Sequence, residues 1–339
     1  MTIHNPRSVE QLDLASLSPG TIHRLQINLA TDALHQPLSV PVVVARGKFP
    51  GPTLCLSAAV HGNELNGIPV IHSIIEHIDC KRLHGTIVGI LVVNVPGFLA
   101  HERSFERWDL NHHFPGEPKG NSAEIYAHRI FQRIITKCDL LIDLHTASHG
   151  RVNSLYVRAD MTHEATARMA YFQKPQIIVH NPASDYTLRG AAAAHDIPAI
   201  TVEIGNPGRY HRDYIKRSTL GIRSVMSDLN MIRKRAFVPG EPPIVCQKSR
   251  WIFTENGGLL TVLPKVTERV KSGQCIAVLK NPFGDIIEEY TMPIDGIVIG
   301  HSIDPVALTG ARILHYGEVA DAADPTFHSH TILGASSDD

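Results

Sequence analysis

Five short apolar runs alternate with segments of helical periodicity, and this alternation constrains the fold more than any other feature. The runs are PTLCLSAAV, TIVGILVVNVPG, DLLIDLHT, PQIIVH and PAITVEIG, and their continuous apolar character is typical of strands buried on both faces. Between them lie the segments GIPVIHSIIEHI and SAEIYAHRIFQRIITKC, the second with Ser122 as its expected N-cap, and further helices near 163–172 and 186–195. Alternating strands and helices predict an α/β domain with a mostly parallel or mixed central sheet.

The composition changes in RAFVPGEPPIV, residues 235–245, which resembles a linker because it holds three prolines and a glycine. Beyond it, short β runs such as CIAVLKNPFGD and DGIVIG are separated by glycine-containing turns. The chain of 339 residues is also longer than a domain built around one hydrophobic core usually is. We therefore predict an α/β domain over 1–236, including strands in the first 50 residues, a β-rich domain over 244–330, and a disordered tail over 331–339.

The overall composition is that of a soluble globular protein, with 43% hydrophobic and 19% charged residues. The 32 Lys and Arg residues balance 33 Asp and Glu residues, so no net field favours nucleic acid or an acidic membrane. The polar first 20 residues contain no apolar signal-peptide core, and no run approaches the roughly 18 apolar residues of a membrane span. We expect neither a nucleic-acid nor a membrane partner, and homo-oligomerisation stays open.

The cysteines indicate the compartment. Cys55, Cys80, Cys138, Cys246 and Cys275 are widely spaced, odd in number, and include no CxxC pair. This pattern disfavours a disulfide framework and a thiolate zinc site, and it indicates a reducing, cytoplasmic location.

Polar residues stand at the ends of three predicted strands: His61 with Glu64, His145, and Glu203. Two histidines and one carboxylate are a common ligand set for catalytic zinc, with a fourth position left for water. Asp143, two residues before His145, faces the same side of a strand and would hydrogen-bond the other nitrogen of a ligand histidine.

Glu203 lies in an apolar strand, where a carboxylate is costly unless it is paired or takes part in chemistry. As a general base it would take a proton from water and pass it to a leaving nitrogen. Each residue also has an ordinary explanation: a short HxxE motif is weak evidence, His145 suits a hydrogen-bonded core histidine, and Glu203 suits a structural ion pair. Taken together, the residues support the chemical and the structural explanations about equally.

Four motifs occur in order: HGNELNG, then NVPGF with RWDLNHHFPG, then IDLHT, then VEIGNPG. Over residues 50–210 they resemble the succinylglutamate desuccinylase and aspartoacylase family of zinc amidohydrolases, which is related to the zinc carboxypeptidases. The resemblance implies a zinc carboxypeptidase-like mixed sheet flanked by helices, with one Zn²⁺ per chain. By motif position, His61, Glu64 and His145 would be its ligands, and Glu203 would activate water.

The same resemblance implies further site residues. Arg103 would polarise the scissile carbonyl, with Arg107 as a rival for that role. Substrate-binding residues would be Asn111, His112, Tyr186 and Arg189. His112 stands where the family usually has arginine after DLN, and a histidine does not clamp a carboxylate reliably. The expectation that the site binds a free substrate carboxylate is therefore weaker, unless Arg189 takes the place of the missing arginine.

The β-rich segment resembles the barrel-sandwich fold of lipoyl and biotinyl carriers. The stretch YTMPIDG has no lysine, so covalent carriage is not expected. In the family, such a module borders the active-site mouth and limits substrate size.

The resemblance implies a zinc-dependent hydrolase that cleaves the amide bond of a small N-acyl amino acid or related amine. Two alternatives are a zinc carboxypeptidase acting on short peptides and a non-catalytic binding protein on the same scaffold. The residues do not identify the acyl group or the amine.

Overall fold

The computed structural model describes residues 5–183, 186–233, 241–321, 324 and 327. The helices in this part of the chain are α1 (Gly67–Glu76), α2 (Val95–Ala100), α3 (Ser122–Arg133), α4 (Glu164–Phe172), α5 (Leu188–Ala193) and α6 (Arg212–Asp228). The strands are β1 (Arg7–Val9), β2 (Thr21–Thr31), β3 (Pro37–Arg46), β4 (Phe49–Ala58), β5 (His84–Ile90), β6 (Leu140–His145), β7 (Arg151–Asn153), β8 (Leu155–Ala159), β9 (Ile177–His180), β10 (Ala199–Ile204), β11 (Ile244–Phe253), β12 (Gly258–Val262), β13 (Arg269–Val270), β14 (Cys275–Lys280), β15 (Ile286–Thr291), β16 (Gly296–Ser302), β17 (Val306–Ala307) and β18 (Arg312–Val319).

A large mixed sheet organises the molecule. Within the described residues it has 14 strands in the order β1-β2-β3-β5-β4-β6-β10-β8-β9-β11-β18-β16-β13, and β7 pairs with β16. Strands β5, β4, β6 and β10 run parallel to one another, whereas β3 and β8 are antiparallel to their neighbours β5 and β10. A second, antiparallel sheet has the order β15-β14-β12-β17. The fold class predicted from the sequence is therefore confirmed: a mixed sheet with helices, followed by a smaller all-β part.

Both faces of the central sheet are buried, which explains why its strands are continuously apolar. In β4, Leu54 and Leu56 enter one core while Cys55 enters the other, and β6 repeats this alternation with Ile142 and Leu141. Helices α1, α4 and α6 contribute to the first core, and α3 and α5 to the second. The polar residues that follow these strands therefore lie at a sheet edge flanked by packed helices.

Two predicted helix boundaries differ in the structure. Asn121, rather than Ser122, caps α3, because its side chain accepts hydrogen bonds from the backbone N–H groups of Ala123 and Glu124. The Glu124 carboxylate in turn accepts from the Asn121 N–H, which completes a capping box. The helix expected near 186–195 is shorter, at Leu188–Ala193.

The large sheet continues into the C-terminal part of the chain. Strand β11 pairs in parallel with β9 and antiparallel with β18, and β16 pairs with β7. Strands of the α/β and β-rich parts therefore share one sheet, and the division into domains at 236 and 244 stays a prediction. Residues 235–240 of the expected linker and the tail at 331–339 lie outside the described residues.

Gly62 lies in the turn after β4, where the chain passes close to α2. A Cβ at this position would lie 2.0 Å from the carbonyl carbon of Gly97 and 2.1 Å from the backbone nitrogen of Phe98. Since both atoms belong to the backbone, they cannot move aside as a flexible side chain would. The glycine therefore permits the approach that holds the His61 turn against α2.

We expect Gly62→Ala to lower the free energy of unfolding by about 3 kcal/mol, because the added methyl group overpacks against backbone. Urea denaturation followed by circular dichroism measures this change. Gly257→Ala is the matched control, since its Cβ would meet nothing closer than the Ala307 oxygen at 3.4 Å. The control should stay within about 0.5 kcal/mol of the wild type. Equal stability of both variants would contradict the packing explanation.

Candidate metal centre

Strand pairing brings His61, Glu64 and His145 to one edge of the sheet. Strands β4 and β6 are parallel neighbours, with Ala58 opposite Leu144, so the chain beyond β4 lies beside the end of β6. The turn after β4 is closed by a hydrogen bond from the Glu64 N–H to the His61 carbonyl oxygen, at 3.0 Å. This turn places the Glu64 side chain on the same side of the sheet edge as the side chains of His61 and His145.

The potential ligand atoms of these three side chains converge. Nδ1 of His61 lies 3.0 Å from Oε1 of Glu64, and Nδ1 of His145 lies 3.0 Å from Oε2. The two Nδ1 atoms are 3.2 Å apart, and all three side chains are buried. Among the described residues, this is the one group of three or more His, Cys, Asp and Glu side chains that could hold a metal ion.

Carboxylates fix the far side of each imidazole. Nε2 of His145 donates to Oδ2 of Asp143 at 2.7 Å, and Asp143 also accepts from the Ser57 hydroxyl at 2.7 Å. Nε2 of His61 donates to Oδ1 of Asp109 at 3.1 Å. With both Nε2 atoms protonated, the Nδ1 lone pairs face each other and are directed at the same point.

The electrostatics of the group favour positive charge at that point. Burial lowers the pKa of His145, but Asp143 and Glu64 outweigh burial and hold the pKa well above its usual value. Burial raises the pKa of Glu64, but His61 and His145 outweigh it and hold the pKa well below its usual value. A divalent cation among two imidazole nitrogens and a carboxylate would supply the charge, so the donor set fits a metal ion.

Arg103 connects the group to a neighbouring loop. One terminal nitrogen donates to Glu64 Oε1 at 2.9 Å and to the Ser148 hydroxyl at 2.6 Å. The other terminal nitrogen and Nε donate to Oδ2 of Asp109, at 2.9 and 3.1 Å. Its rival Arg107 is exposed and does not line the cavity described below.

Glu203 lies on the strand next to His145. Strands β6 and β10 are parallel, and Glu203 is directly opposite His145 in their register. The Asn153 amide donates to Oε2 of Glu203 at 3.4 Å, and Nε of Arg158 is 4.0 Å from Oε1. Burial raises the pKa of Glu203. A carboxyl group of this kind suits taking up and returning a proton.

The metal-ligand candidates and Glu203 line one cavity of about 280 Å³. Its wall is rich in cationic and amide side chains: Arg103, Arg151, Arg158, Arg189, Arg312, Asn111, Asn153 and Asn181, together with Tyr156 and Trp251. A larger surface groove of about 760 Å³ lies against α1 and α6 and contains none of the metal-ligand candidates. The smaller cavity is therefore the candidate functional site.

Of the predicted substrate-binding residues, Asn111 and Arg189 line this cavity. Asn111 Oδ1 accepts from the Leu188 N–H at 2.9 Å, and buried Arg189 donates to the Asn181 carbonyl oxygen at 2.9 Å. His112 and Tyr186 are exposed, at 68% and 74%, and neither lines the cavity. The roles assigned to these four residues stay predictions.

Several residues at the site were not predicted from the sequence. Asp109, which pairs with His61 and Arg103, stands two residues before the predicted Asn111, and its carboxylate in DLN was a usable signal. Arg151 follows IDLHT by five residues, and nothing local marks it as part of the site. Trp251 and Arg312 lie on β11 and β18, and pairing of these strands within the large sheet brings them to the cavity.

Residues 50–229 match the succinylglutamate desuccinylase/aspartoacylase catalytic domain family. The chain belongs to this family. The match covers more than half of the 339 residues and confirms the resemblance carried by the four motifs. An N-alpha-acetyl-L-2,4-diaminobutyric acid deacetylase from Halomonas elongata is 24% identical over 300 residues, which are 84% of this chain and 86% of the relative.

Solved structures share the fold. The product-bound ectoine utilization protein EutE from Ruegeria pomeroyi has a TM-score of 0.79 and 20% identity, over 89% of this chain and 98% of that one. A succinylglutamate desuccinylase/aspartoacylase from Rhodobacter sphaeroides has a TM-score of 0.79 and 19% identity, over 88% of this chain and 96% of that one. In the described part of the chain, every helix is too short or too polar to cross a membrane.

We expect Asp143→Asn to weaken zinc binding about 10–100-fold, because the neutral amide no longer fixes the charge and tautomer of His145. Competition against a fluorescent zinc chelator measures the affinity. Asp213→Asn, an exposed change in the first turn of α6, is the control and should leave the affinity unchanged. Undiminished zinc affinity in the Asp143 variant would contradict the assigned support of His145.

Proposed function

We propose that the protein is a zinc-dependent hydrolase that cleaves the amide bond of a small N-acyl amino acid. The observation that carries the proposal is the convergence of His61 Nδ1, His145 Nδ1 and the Glu64 carboxylate in a cavity that Glu203 also lines. Two histidines and one carboxylate leave a position for water or substrate on zinc. The deacetylase named among the relatives supports the same reaction class.

Zinc held by this group would polarise the scissile carbonyl and lower the pKa of water towards about 7. Arg103 lies beside the same carboxylate and stabilises the negative charge that develops on the carbonyl oxygen. Its two hydrogen bonds to Asp109 fix the guanidinium, so little reorganisation accompanies the reaction.

Glu203 acts as the general base and then as the general acid. It takes a proton from the attacking water and returns it to the amide nitrogen, which leaves as an amine. Burial raises its pKa, so Glu203 takes up a proton more readily than a solvated carboxylate would. The Asn153 amide and the Arg158 guanidinium hold the carboxylate in position.

The cavity suits a small anionic substrate. Its volume of about 280 Å³ falls near the lower end of the usual range for small-molecule sites. Five arginines face it, against the carboxylates of Glu64 and Glu203, so the wall attracts carboxylates. His112 stands where the family usually has an arginine. Arg189, which lines the cavity together with Asn111, takes over the role of that arginine and binds the carboxylate of the amino acid.

Two other functions receive less support. A carboxypeptidase needs room for a peptide, whereas Trp251 and Arg312 form part of the wall of this small cavity. A non-catalytic binding protein does not need a buried carboxylate such as Glu203 beside the metal-ligand candidates. We further propose a cytoplasmic location, because the five dispersed cysteines are free thiols, as is typical of a reducing compartment.

We expect Glu203→Gln to keep about one zinc per chain and to lower kcat by about 10²–10⁴-fold, because the amide cannot take up the proton. Elemental analysis gives the zinc content, and release of free amine gives the rate. Glu76→Gln, an exposed change at the end of α1, should retain the full rate. A Glu203 variant with wild-type kcat would remove the base assignment.

A panel of acetyl, succinyl and longer acyl derivatives of acidic, neutral and basic amino acids tests the reaction class. We expect amine release that a chelator abolishes and added zinc restores. Cleavage of dipeptides without cleavage of acyl amino acids would instead indicate a carboxypeptidase. Zinc binding without any hydrolysis would indicate a binding protein.

A further inference from the structure

Asn66 is a buried side chain between the metal-ligand candidates and the strand that carries Glu203. It stands directly before α1, in the N-cap position, yet its side chain makes no capping hydrogen bond to that helix. Asparagine is among the best N-cap residues, because its side-chain oxygen can accept from the free N–H groups of the first helical turn. The residue is fully buried, and its polar atoms are directed to another part of the chain. The contacts made there indicate a role outside the helix.

The side chain of Asn66 binds both ends of the segment that follows Glu203. Its Nδ2 donates to the carbonyl oxygen of Ile204 at 2.8 Å and to that of Asn206 at 3.3 Å. Its Oδ1 accepts from the backbone N–H of His211 at 3.3 Å. Ile204 is the last residue of β10, and His211 stands directly before α6. One side chain therefore clamps the whole connection between β10 and α6.

The clamped connection is tightly folded. Gly205 has a φ of +66°, in the left-handed region, and a Cβ there would lie 2.4 Å from Nδ1 of His211. Its carbonyl oxygen accepts from the backbone N–H of Ala147 at 2.8 Å. The His211 ring stacks on Tyr214, with the ring centroids 3.9 Å apart. The end of β10 thus packs against both the start of α6 and the loop that follows His145.

The backbone of Asn66 is fixed to the strands that lead to the metal-ligand candidates. At the neighbouring Gly67, an added Cβ would lie 2.7 Å from the Cβ of Leu144 and 2.8 Å from the Cβ of Ala58. Leu144 and Ala58 are opposite each other at the adjacent ends of β6 and β4. The start of α1 therefore packs directly on these two strand ends. Asn66 connects them to the end of the strand that carries Glu203.

The proton transfer assigned to Glu203 depends on this connection. The Asn153 amide and the Arg158 guanidinium, at 3.4 and 4.0 Å, orient the end of the Glu203 side chain. The position of its backbone depends on β10, whose next residue, Ile204, is held by Asn66. A general base must lie within hydrogen-bond reach of the water that it deprotonates, and a misplacement of about 1 Å can lower a rate about 100-fold.

We propose that Asn66 is a positioning residue, which holds Glu203 at the correct distance from the metal-ligand candidates. The inference rests on the proposed function and deepens it, because it assigns the placement of the general base to one buried side chain. Asn66 does not line the cavity, so it acts on the reaction through Glu203 and not by touching the substrate. Loss of Asn66 should therefore lower the rate without loss of zinc.

The first test is steady-state hydrolysis of the acyl amino acid that the wild type cleaves fastest. We expect Asn66→Ala to lower kcat about 10–100-fold, with little change in KM and with about one zinc per chain. Asn66→Asp keeps the acceptor for the His211 N–H but turns an oxygen towards two carbonyl oxygens, so kcat should fall in the same way. Wild-type kcat in both variants, or loss of zinc from them, would overturn the proposal.

Asn121→Ala is the matched control for a purely structural effect. It also replaces an asparagine that stands before a helix, and it removes the cap of α3. The change should lower the unfolding temperature, because a lost N-cap destabilises a helix, but it should leave kcat unchanged. A fall in kcat equal to that of Asn66→Ala would show that loss of stability alone explains both, and would overturn the proposal.

The second test asks whether Asn66 acts through Glu203. In the Glu203→Gln background the base is already lost, so adding Asn66→Ala should lower kcat little further, because two changes that remove the same function are not additive. A change that only loosens the structure would lower kcat by the same factor in both backgrounds. Equal factors would therefore overturn the proposal.

The third test needs no substrate. Hydrogen–deuterium exchange of the zinc-loaded protein reports how firmly the connection between β10 and α6 is held. We expect the backbone amides of residues 204–211 to exchange faster in Asn66→Ala than in the wild type and in Asn121→Ala. Unchanged exchange would overturn the proposal. Faster exchange, in a protein whose wild type hydrolyses no acyl amino acid, would support the clamp and contradict the proposed function.

Discussion

The burial of the Glu64 carboxylate between two imidazoles is the interaction on which the rest of the site depends. A buried carboxylate is unfavourable unless positive charge and hydrogen bonds surround it, and Glu64 receives both from His61, His145 and Arg103. Nε2 of each imidazole in turn donates to a carboxylate, Asp109 or Asp143, so the imidazoles lie between the central Glu64 carboxylate and outer carboxylates. This arrangement favours a cation at the point where the Nδ1 atoms meet.

The fold supplies this arrangement through the alignment of three parallel strands. Because β4, β6 and β10 are neighbours, the turn that holds His61, the end of β6 and Glu203 meet at one sheet edge. Continuation of the sheet through β11 and β18 adds Trp251 and Arg312 to the wall of the same cavity. Side chains of the β-rich part therefore form part of the wall of the candidate site.

The sequence predicts features that depend on local residue patterns. It does not predict site residues whose position depends on the pairing of strands that are far apart in the chain. Apolar runs with polar residues at their ends predicted the mixed sheet and the grouping of His61, Glu64 and His145, because parallel strands end at one edge. The pattern did not reveal Arg312, since its place depends on strand pairings between distant parts of the chain. The cap of α3 was misplaced by one residue because neighbouring Asn121 and Ser122 are both good capping residues.

Anomalous diffraction at the zinc absorption edge, from crystals of the zinc-loaded protein, tests the central claim most directly. The account predicts one strong peak per chain, about 2.0–2.2 Å from Nδ1 of His61, Nδ1 of His145 and a carboxylate oxygen of Glu64. A peak bound by other residues, or no peak at this cluster in crystals that contain zinc, would contradict it.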